Sequence, residues 1–431
     1  MKRVLLTGIA LAVIGISAFA SGGNQKASSA GGEGGQGAVR WSYWGSEARI
    51  KNNQLIIDKF TEQTGIIVAS EPAPGTGDHF TKFKTQFAGG NAADIVQLGG
   101  DFSNLQVNDV SSVLLPLDDF VKSGIIDTSK VDKSAITEGT MNGKLYALPL
   151  AANMPALVYN KSLLERAGAP LPKISMTWAE FDAWLAAAKA RLPDGVYPLA
   201  DNSANSDQSV FFGYWQGQNG TTMWDGQKSY TTAESAKQYF DLWADWRAKG
   251  YIPDAATAAD YPETNESSSS LVAGKVAVAI IWSNQLLGYQ NATQDTLDLI
   301  ELPNAAVTNG LWGQMSQMMA INKNSKNAEA AAKFINYRVN EPSVWVIMGA
   351  DPGTPVNSAA RAALPVSPIT DKVNAYLNVA GGHTRARDPN MPGDSQWNSR
   401  LYNIAQNVAF GRTTTAQAGQ EVVSLIAELT R

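Results

Sequence analysis

The sequence predicts an α/β protein built in two lobes, on three observations. The chain is 431 residues long, well beyond the roughly 250 to 300 residues at which a single core stops growing. Its apolar content, 44%, is that of an ordinary globular protein. Short β-rich runs alternate with helical patterns from Val39 onward, the sign of parallel strands joined by crossover helices.

The first strand is Val39-Arg40-Trp41-Ser42-Tyr43-Trp44, where alternate residues suit opposite faces. Gly45-Ser46 breaks it before a helix carrying Ile56, Ile57 and Phe60, which Gly65 ends. Ile66-Ile67-Val68 starts a second strand, a helical stretch with Phe80, Phe83 and Phe87 follows, and Ile95 to Leu98 is the third. Further on, Thr177-Trp178-Ala179-Glu180 has the spacing of a capping box and opens a helix bearing Phe181, Trp184 and Leu185. Thr231 and Glu234 stand in the same relation before Tyr239, Phe240, Trp243 and Trp246. Lys275 to Trp282, an almost unbroken apolar run, suits a strand buried on both faces. Met318 to Ile321 is a further strand, Ala328 to about Asn340 a helix, and Gly381 to Trp397 a loop rich in Pro and Gly. The final helix places Val422, Leu425, Ile426 and Leu429 on one face.

The N-terminus has a separate logic. Lys2 and Arg3 precede an uncharged apolar run that ends on Ala18-Phe19-Ala20, the layout of a secretory signal peptide with an A-x-A cleavage site over residues 1–20. The run falls short of the roughly 20 residues of a spanning helix. Residues 21–38 are mostly Ser, Gly, Ala, Gln and Asn and read as a flexible leader. The chain has no cysteine, so neither disulfides nor a lipidated cleavage-site cysteine are available. The expected location is the periplasm, as a soluble export product and not a lipoprotein. Removing residues 1–20 takes the formal charge from -5 to -7, which argues against nucleic acid or an anionic membrane as partner.

Catalytic signatures are sparse. There are two histidines, His79 and His383, and no cysteine, which removes most metal and nucleophile constellations. GxSxG, HExxH and P-loop patterns do not occur. A two-carboxylate glycosidase stays open by residue type. His79, after Gly75-Thr76-Gly77-Asp78, reads as a surface or capping residue. No catalytic residue, metal or cofactor is assigned.

The order of segments resembles the family 1 extracellular solute-binding proteins of the maltose-binding type. The resemblance rests on Ser42-Tyr43-Trp44-Gly45, Phe87-Ala88-Gly89-Gly90-Asn91-Ala92-Ala93-Asp94-Ile95-Val96, Gly143-Lys144-Leu145-Tyr146-Ala147-Leu148-Pro149, Tyr159-Asn160-Lys161, Thr177-Trp178 and Ala273-Gly274-Lys275-Val276-Ala277. It implies the two-lobe periplasmic binding fold of type II, each lobe a mostly parallel sheet flanked by helices, discontinuous in sequence and joined by a hinge. The N-terminal lobe would take 39–150 and 312–344, the C-terminal lobe 151–311 and 345–431. It implies a monomeric receptor that captures a sugar or oligosaccharide between the lobes and delivers it to the membrane permease subunits of an ABC importer. The alternative is an exported glycoside hydrolase or polysaccharide lyase.

Carried over by position, the resemblance places Trp44, Glu47 and Arg49 at the turn after the first strand, near the cleft. It makes Asp101 an acid that grips sugar hydroxyls, Trp282 a stacking ring, and Trp312 with Gln314 part of the return crossover. Asn153 stands where maltose binders carry a glutamate, and Leu98 where they carry an aromatic, so the likeness stops short of maltose itself. Trp224, Arg385 and Arg387 are candidates against the plainer reading of packing or solvated-loop residues. The residue types suit the chemistry, since sugar hydroxyls take hydrogen bonds from or to Asp, Asn, Gln and Arg, and pyranose C–H faces take flat rings. Most of the 12 tryptophans are expected in the cores.

The mature chain is expected to begin at Ser21. N-terminal sequencing of protein recovered from the periplasmic fraction checks this, and an intact Met1 would contradict it.

Overall fold

The computed structural model describes residues 38–430 apart from 74, 108, 204–207, 220–221, 262–265, 386, 390 and 392–393. The expected signal peptide and all but the last residue of the leader lie outside the described residues.

The N-terminal half of the chain builds a sheet around β1 (Val39–Trp44). Helix α1 (Glu47–Thr64) follows, capped by Ser46, whose hydroxyl accepts from the Arg49 amide, and stopped by Gly65 in the left-handed region at φ 70°. Strand β2 is Val68–Ala73, helix α2 is Thr76–Ala88 and strand β3 is Ile95–Leu98. Both β2 and β3 run parallel to β1. The second strand starts two residues later than the sequence suggests, because register pairs Val39 with Val68, and leaves Ile67 61% exposed. After β4 (Ala147–Asn153) the chain passes at once into β5 (Pro155–Asn160), the first strand of a second sheet.

That second sheet also contains β6 (Tyr197–Leu199), β7 (Val276–Trp282) and β8 (Leu297–Ile300), in the order β8-β5-β7-β6. The first six residues of β7 are buried, as its continuous apolar run requires. The chain then returns as β9 (Gln314–Asn322), which inserts antiparallel between β3 and β4. Both sheets are therefore mixed. The parallel β1, β2 and β3 form as expected, but strands added by a chain that leaves and comes back run the other way.

Helix α3 (Trp178–Lys189) has the capping box that Thr177 and Glu180 predict. Helix α4 is Gln208–Gln216. In α5 (Ala233–Ala248) the box shifts by one residue, with Thr232 as cap and Ser235 as its partner, while Thr231 is buried. Helix α6 (Ala328–Asn340) agrees with the sequence. Helix α7 is Pro342–Met348, α8 Ser358–Ala363 and α9 Pro368–Ala380. The expected loop ends early: after one turn at Gly381–His383, helix α10 runs from Asp394 to Ala409, and Trp397 is buried in it against Phe212, ring centres 5.7 Å apart. Helix α11 is Thr415–Leu429, with Val422, Leu425 and Ile426 buried.

Two hydrophobic cores result. One gathers Trp41, Phe60, Val96, Met318 and Phe334 around the first sheet, the other Phe181, Tyr239, Trp243, Val278 and Leu299 around the second. Trp345, Met348, Val356 and Ala360 belong to the first core, whereas the sequence reading moves the chain to the other lobe after 344. The reason is that α7 and α8 fold back on the first lobe and Asp132 N donates to Val356 O at 3.0 Å. Cores change hands at three places: Asn153 to Pro155, Trp312 to Met315, and between α8 and α9.

His79 corrects a second expectation. It is fully buried in α2, because one turn into that helix its side chain faces the sheet. Its Nε2 donates to Gln97 O at 2.8 Å, and its Nδ1 lies 3.2 Å from Ser42 Oγ. The carbonyl can only accept, so the proton sits on Nε2 and the Ser42 hydroxyl donates to Nδ1. Burial pushes the imidazole down to about 4. Because the folded value lies below the unfolded 6.5, the unfolded chain takes up the proton first as pH falls. The stability that neutral His79 contributes is intact above pH 6.5 and lost progressively down to about pH 4, amounting to about 3 kcal/mol. Urea unfolding at pH 7 and pH 4 should therefore show a smaller loss in His79→Gln than in the wild type; equal losses would contradict the assignment.

Candidate functional site

A cavity of about 170 Å³ lies where the second core meets the returning chain, lined among others by Trp282, Trp312, Gln314, Arg385, Arg387 and Asp388. Each wall has a local cause. Trp282 is the last residue of β7, half-buried where the strand emerges from the core, and its amide donates to the Gln285 side chain at 2.8 Å. Trp312 sits just before β9, packed 6.3 Å from the buried Tyr214 ring. Gln314 opens β9 opposite Asn153, the last residue of β4.

The charged wall comes from the segment after α9. Leu311 N donates to His383 O at 3.1 Å and Arg385 N to Leu311 O at 2.7 Å, so this segment runs beside Leu311 like a short strand. His383 Nδ1 is 2.7 Å from Glu301, which is 1% exposed and also accepts from Ser175 Oγ. That pins the segment at its base. The guanidinium of Arg385 stands 5.9 Å from the Trp312 ring centre and pairs with Asp388. Asp388 in turn accepts from the Met223 amide at 2.8 Å. Arg387 reaches across to the first lobe, where its Nη2 meets Asp101 Oδ2 at 2.7 Å. Asp101 follows Gly100, where any side chain would run into the Met315 carbonyl of the returning strand.

A polar chain joins the lobes beside this cavity. Asn153 Nδ2 donates to Asn284 Oδ1 at 2.9 Å, and Asn284 Nδ2 donates to the Asp351 carbonyl at 3.2 Å. Asp351 holds Arg49 in a two-point pair, 2.7 Å to Nε and 3.1 Å to Nη2. Asn153 Oδ1 is buried with no hydrogen-bond partner among the described residues.

The structure thus brings Trp282, Trp312, Gln314 and Arg385 to one cavity, with Asp101 joined through Arg387 and Asn153 through strand pairing. Trp44, Glu47 and Arg49 do not line it. The Trp44 ring leans on His79 and Phe80, centres 5.2 and 5.9 Å away, Glu47 is exposed, and Arg49 meets this region only through Asp351 and Asn284. Trp224 is not in the cavity either: it is 5% exposed within the second core, while its neighbour Met223 forms part of the wall. Asn284, Asp388, Met391, Trp397 and Asn398 escaped the sequence reading. Only Trp397 left a signal, an aromatic at the end of a Pro- and Gly-rich stretch.

The same architecture recurs in known proteins. Residues 56–379 match the family described as bacterial extracellular solute-binding protein. The chain belongs to that family. Among curated relatives, the maltodextrin-binding protein MdxE of Bacillus subtilis is 22% identical over 70% of this chain and 71% of its own. Among solved structures, a periplasmic solute-binding protein of Pectobacterium atrosepticum superposes with a TM-score of 0.80 at 21% identity, covering 92% of this chain and all of the other. A periplasmic oligogalacturonide-binding protein of Yersinia enterocolitica in complex with digalacturonic acid gives 0.79 at 22% identity, over 91% of this chain and 100% of that one. These likenesses establish the two-lobe fold. No helix among the described residues is long and apolar enough to cross a membrane.

The Asp101–Arg387 pair has side chains 26% and 21% exposed, so it contributes about 1 kcal/mol or less to stability. Gly100→Ala meets backbone, which cannot swing aside. Guanidinium unfolding should show Gly100→Ala losing more stability than Arg387→Met; the reverse order would contradict this description of the cleft.

Proposed function

We propose that this chain is the extracytoplasmic receptor of an ABC importer, that its cargo is a sugar or oligosaccharide, and that the cargo is bound and passed on unchanged. The observation that carries the reading is the composition of one cavity: three tryptophan side chains, Trp282, Trp312 and Trp397, beside Gln314, Arg385, Arg387 and Asp388. Flat apolar faces with a few convergent hydrogen-bonding groups suit a pyranose, whose C–H faces stack while its hydroxyls accept and donate. MdxE and the Yersinia protein, by their names, bind carbohydrates.

In this reading the first lobe comprises about 39–153 and 315–364, and the second the remainder of the folded chain. The three passages between cores form the hinge. Asp101 and Arg387, one from each lobe, hold each other in the absence of cargo and turn to its hydroxyls when it enters. Trp44, Glu47 and Arg49 form the outer edge of the site on the first-lobe side, Arg49 being tied to the cavity's polar chain through Asp351 and Asn284. Closure then gives membrane permease subunits a shape to recognise. The receptor is exported by a cleavable signal peptide, works in the periplasm as a monomer, carries no lipid and needs no cofactor or nucleic-acid partner.

Isothermal titration against a panel of saccharides should find one bound per chain, and chromatography should return that sugar intact. Trp282→Ala, Trp312→Ala and Asp101→Ala should each weaken binding, by about ten- to a hundredfold for the charged partner. Turnover of the sugar that disappears on removing a cleft carboxylate would support an exported glycosidase or lyase instead, and unchanged affinity in all three variants would remove the cavity from the site.

A further inference from the structure

The first core contains an arginine to which no carboxylate is hydrogen-bonded among the described residues. Arg338 lies in α6 and is 1% exposed. Its Nη2 donates to Asn53 Oδ1 at 3.1 Å, and its guanidinium stands 5.7 Å from the centre of the Trp41 ring. Its Nε and Nη1 have no hydrogen-bond partner among the described residues, and the same holds for Trp41 Nε1 and Asn53 Nδ2. Trp41 is fully buried and Asn53 is 1% exposed.

All four unpaired atoms are N–H donors. An indole and a guanidinium can only donate, and Asn53 is oriented by the bond its oxygen accepts from Arg338, which leaves its amide nitrogen as the free end. The acceptors near them already hold other partners. Tyr43 shares its hydroxyl with Ser70 Oγ at 2.8 Å and also feels the Asn53 amide. Asp351, the carboxylate whose field acts on Arg338, is held at two points by Arg49. Arg338, Arg49 and Asp351 together carry one net positive charge. Desolvation lowers the Arg338 pKa to about 10, still far above neutrality, so the side chain remains a cation.

A cation buried without counter-charge is costly, and buried donors in folded proteins find acceptors. Water supplies acceptor lone pairs but no charge. A small anion supplies both, and it can accept from several N–H groups at once.

We propose that Arg338, Trp41 and Asn53 form a binding site for a small monovalent anion of chloride size, enclosed between β1, α1 and α6. A small ion is required because the donors belong to three elements packed in one core, where the Trp41 ring is in direct contact with Tyr43 and Phe334. The site is separate from the saccharide cavity, none of whose walls it shares, and its occupancy is independent of which sugar the protein takes.

Bromide replaces chloride in such sites and scatters anomalously. Crystals of the full mature chain soaked in sodium bromide should show an anomalous peak within hydrogen-bond reach of Arg338 Nη1 or Nε and Trp41 Nε1. In solution, the wild type should melt at a higher temperature in sodium chloride than in sodium gluconate of equal ionic strength, and Arg338→Met should abolish that difference. A water molecule or no density at Arg338 in the bromide crystals, or equal melting temperatures of the wild type in the two salts, would overturn the proposal. Both wild-type measurements decide the matter even if Arg338→Met does not fold.

Discussion

Strand β9 inserts antiparallel between β3 and β4, and the residues around the cavity take their places from that insertion. Met318 to Ile321 pair with Leu98 to Ile95 on one side, and Met318 to Ala320 with Pro149 to Ala147 on the other. Strands on both flanks fix Met318 to Ala320 in register, and past a bulge between Met315 and Met318 the entrance of the strand pairs with β4 alone. Trp312 and Gln314 arrive at the mouth of the second core, Asn153 stands opposite Gln314, and the Met315 carbonyl leaves room only for a glycine at Gly100. A one-residue slip would turn every side chain of β9 to the other face and dismantle the cleft with it.

The polar arrangement around the cavity follows from how partly exposed charges behave. Arg385 and Arg387 each face an aspartate, Asp388 within the segment and Asp101 across the cleft. Such pairs add little stability but fix where guanidinium and carboxylate point, and groups so oriented can exchange one another for hydroxyls at small cost. The buried Glu301 beneath His383 holds the segment from below. Rigid placement with exchangeable partners suits reversible capture.

Local periodicity made much of the fold legible. The apolar run of β7, the alanine-rich α6 and the Thr177–Glu180 cap are short-range signals, and each appears where the sequence puts it. What failed to show depends on distant contacts. Thr231 and Thr232 both offer a hydroxyl, and only the packing of α5 selects the second. The polar surroundings of His79 suggest solvent, yet α2 lies on the sheet and turns that residue inward against Gln97. Trp224 and Met223 are neighbours, and the second core takes the larger apolar ring while the cavity takes Met223. The segment bearing Arg385 and Arg387 is held by Leu311 and Glu301, some 70 to 90 positions earlier, so the sequence offered the two arginines as candidates but not the cavity they line. The segment order that marks the family survived because it reflects the crossings themselves.

The proposed function requires both lobes to hold one sugar in a single place. A crystal structure of the mature protein with its bound saccharide tests this most directly. The ring should stack on Trp282 or Trp312 with hydroxyls bonded to Asp101 from the first lobe and to Arg385 or Arg387 from the second. A saccharide seated elsewhere, such as the groove between α10 and α11, or contacts confined to one lobe, would contradict it.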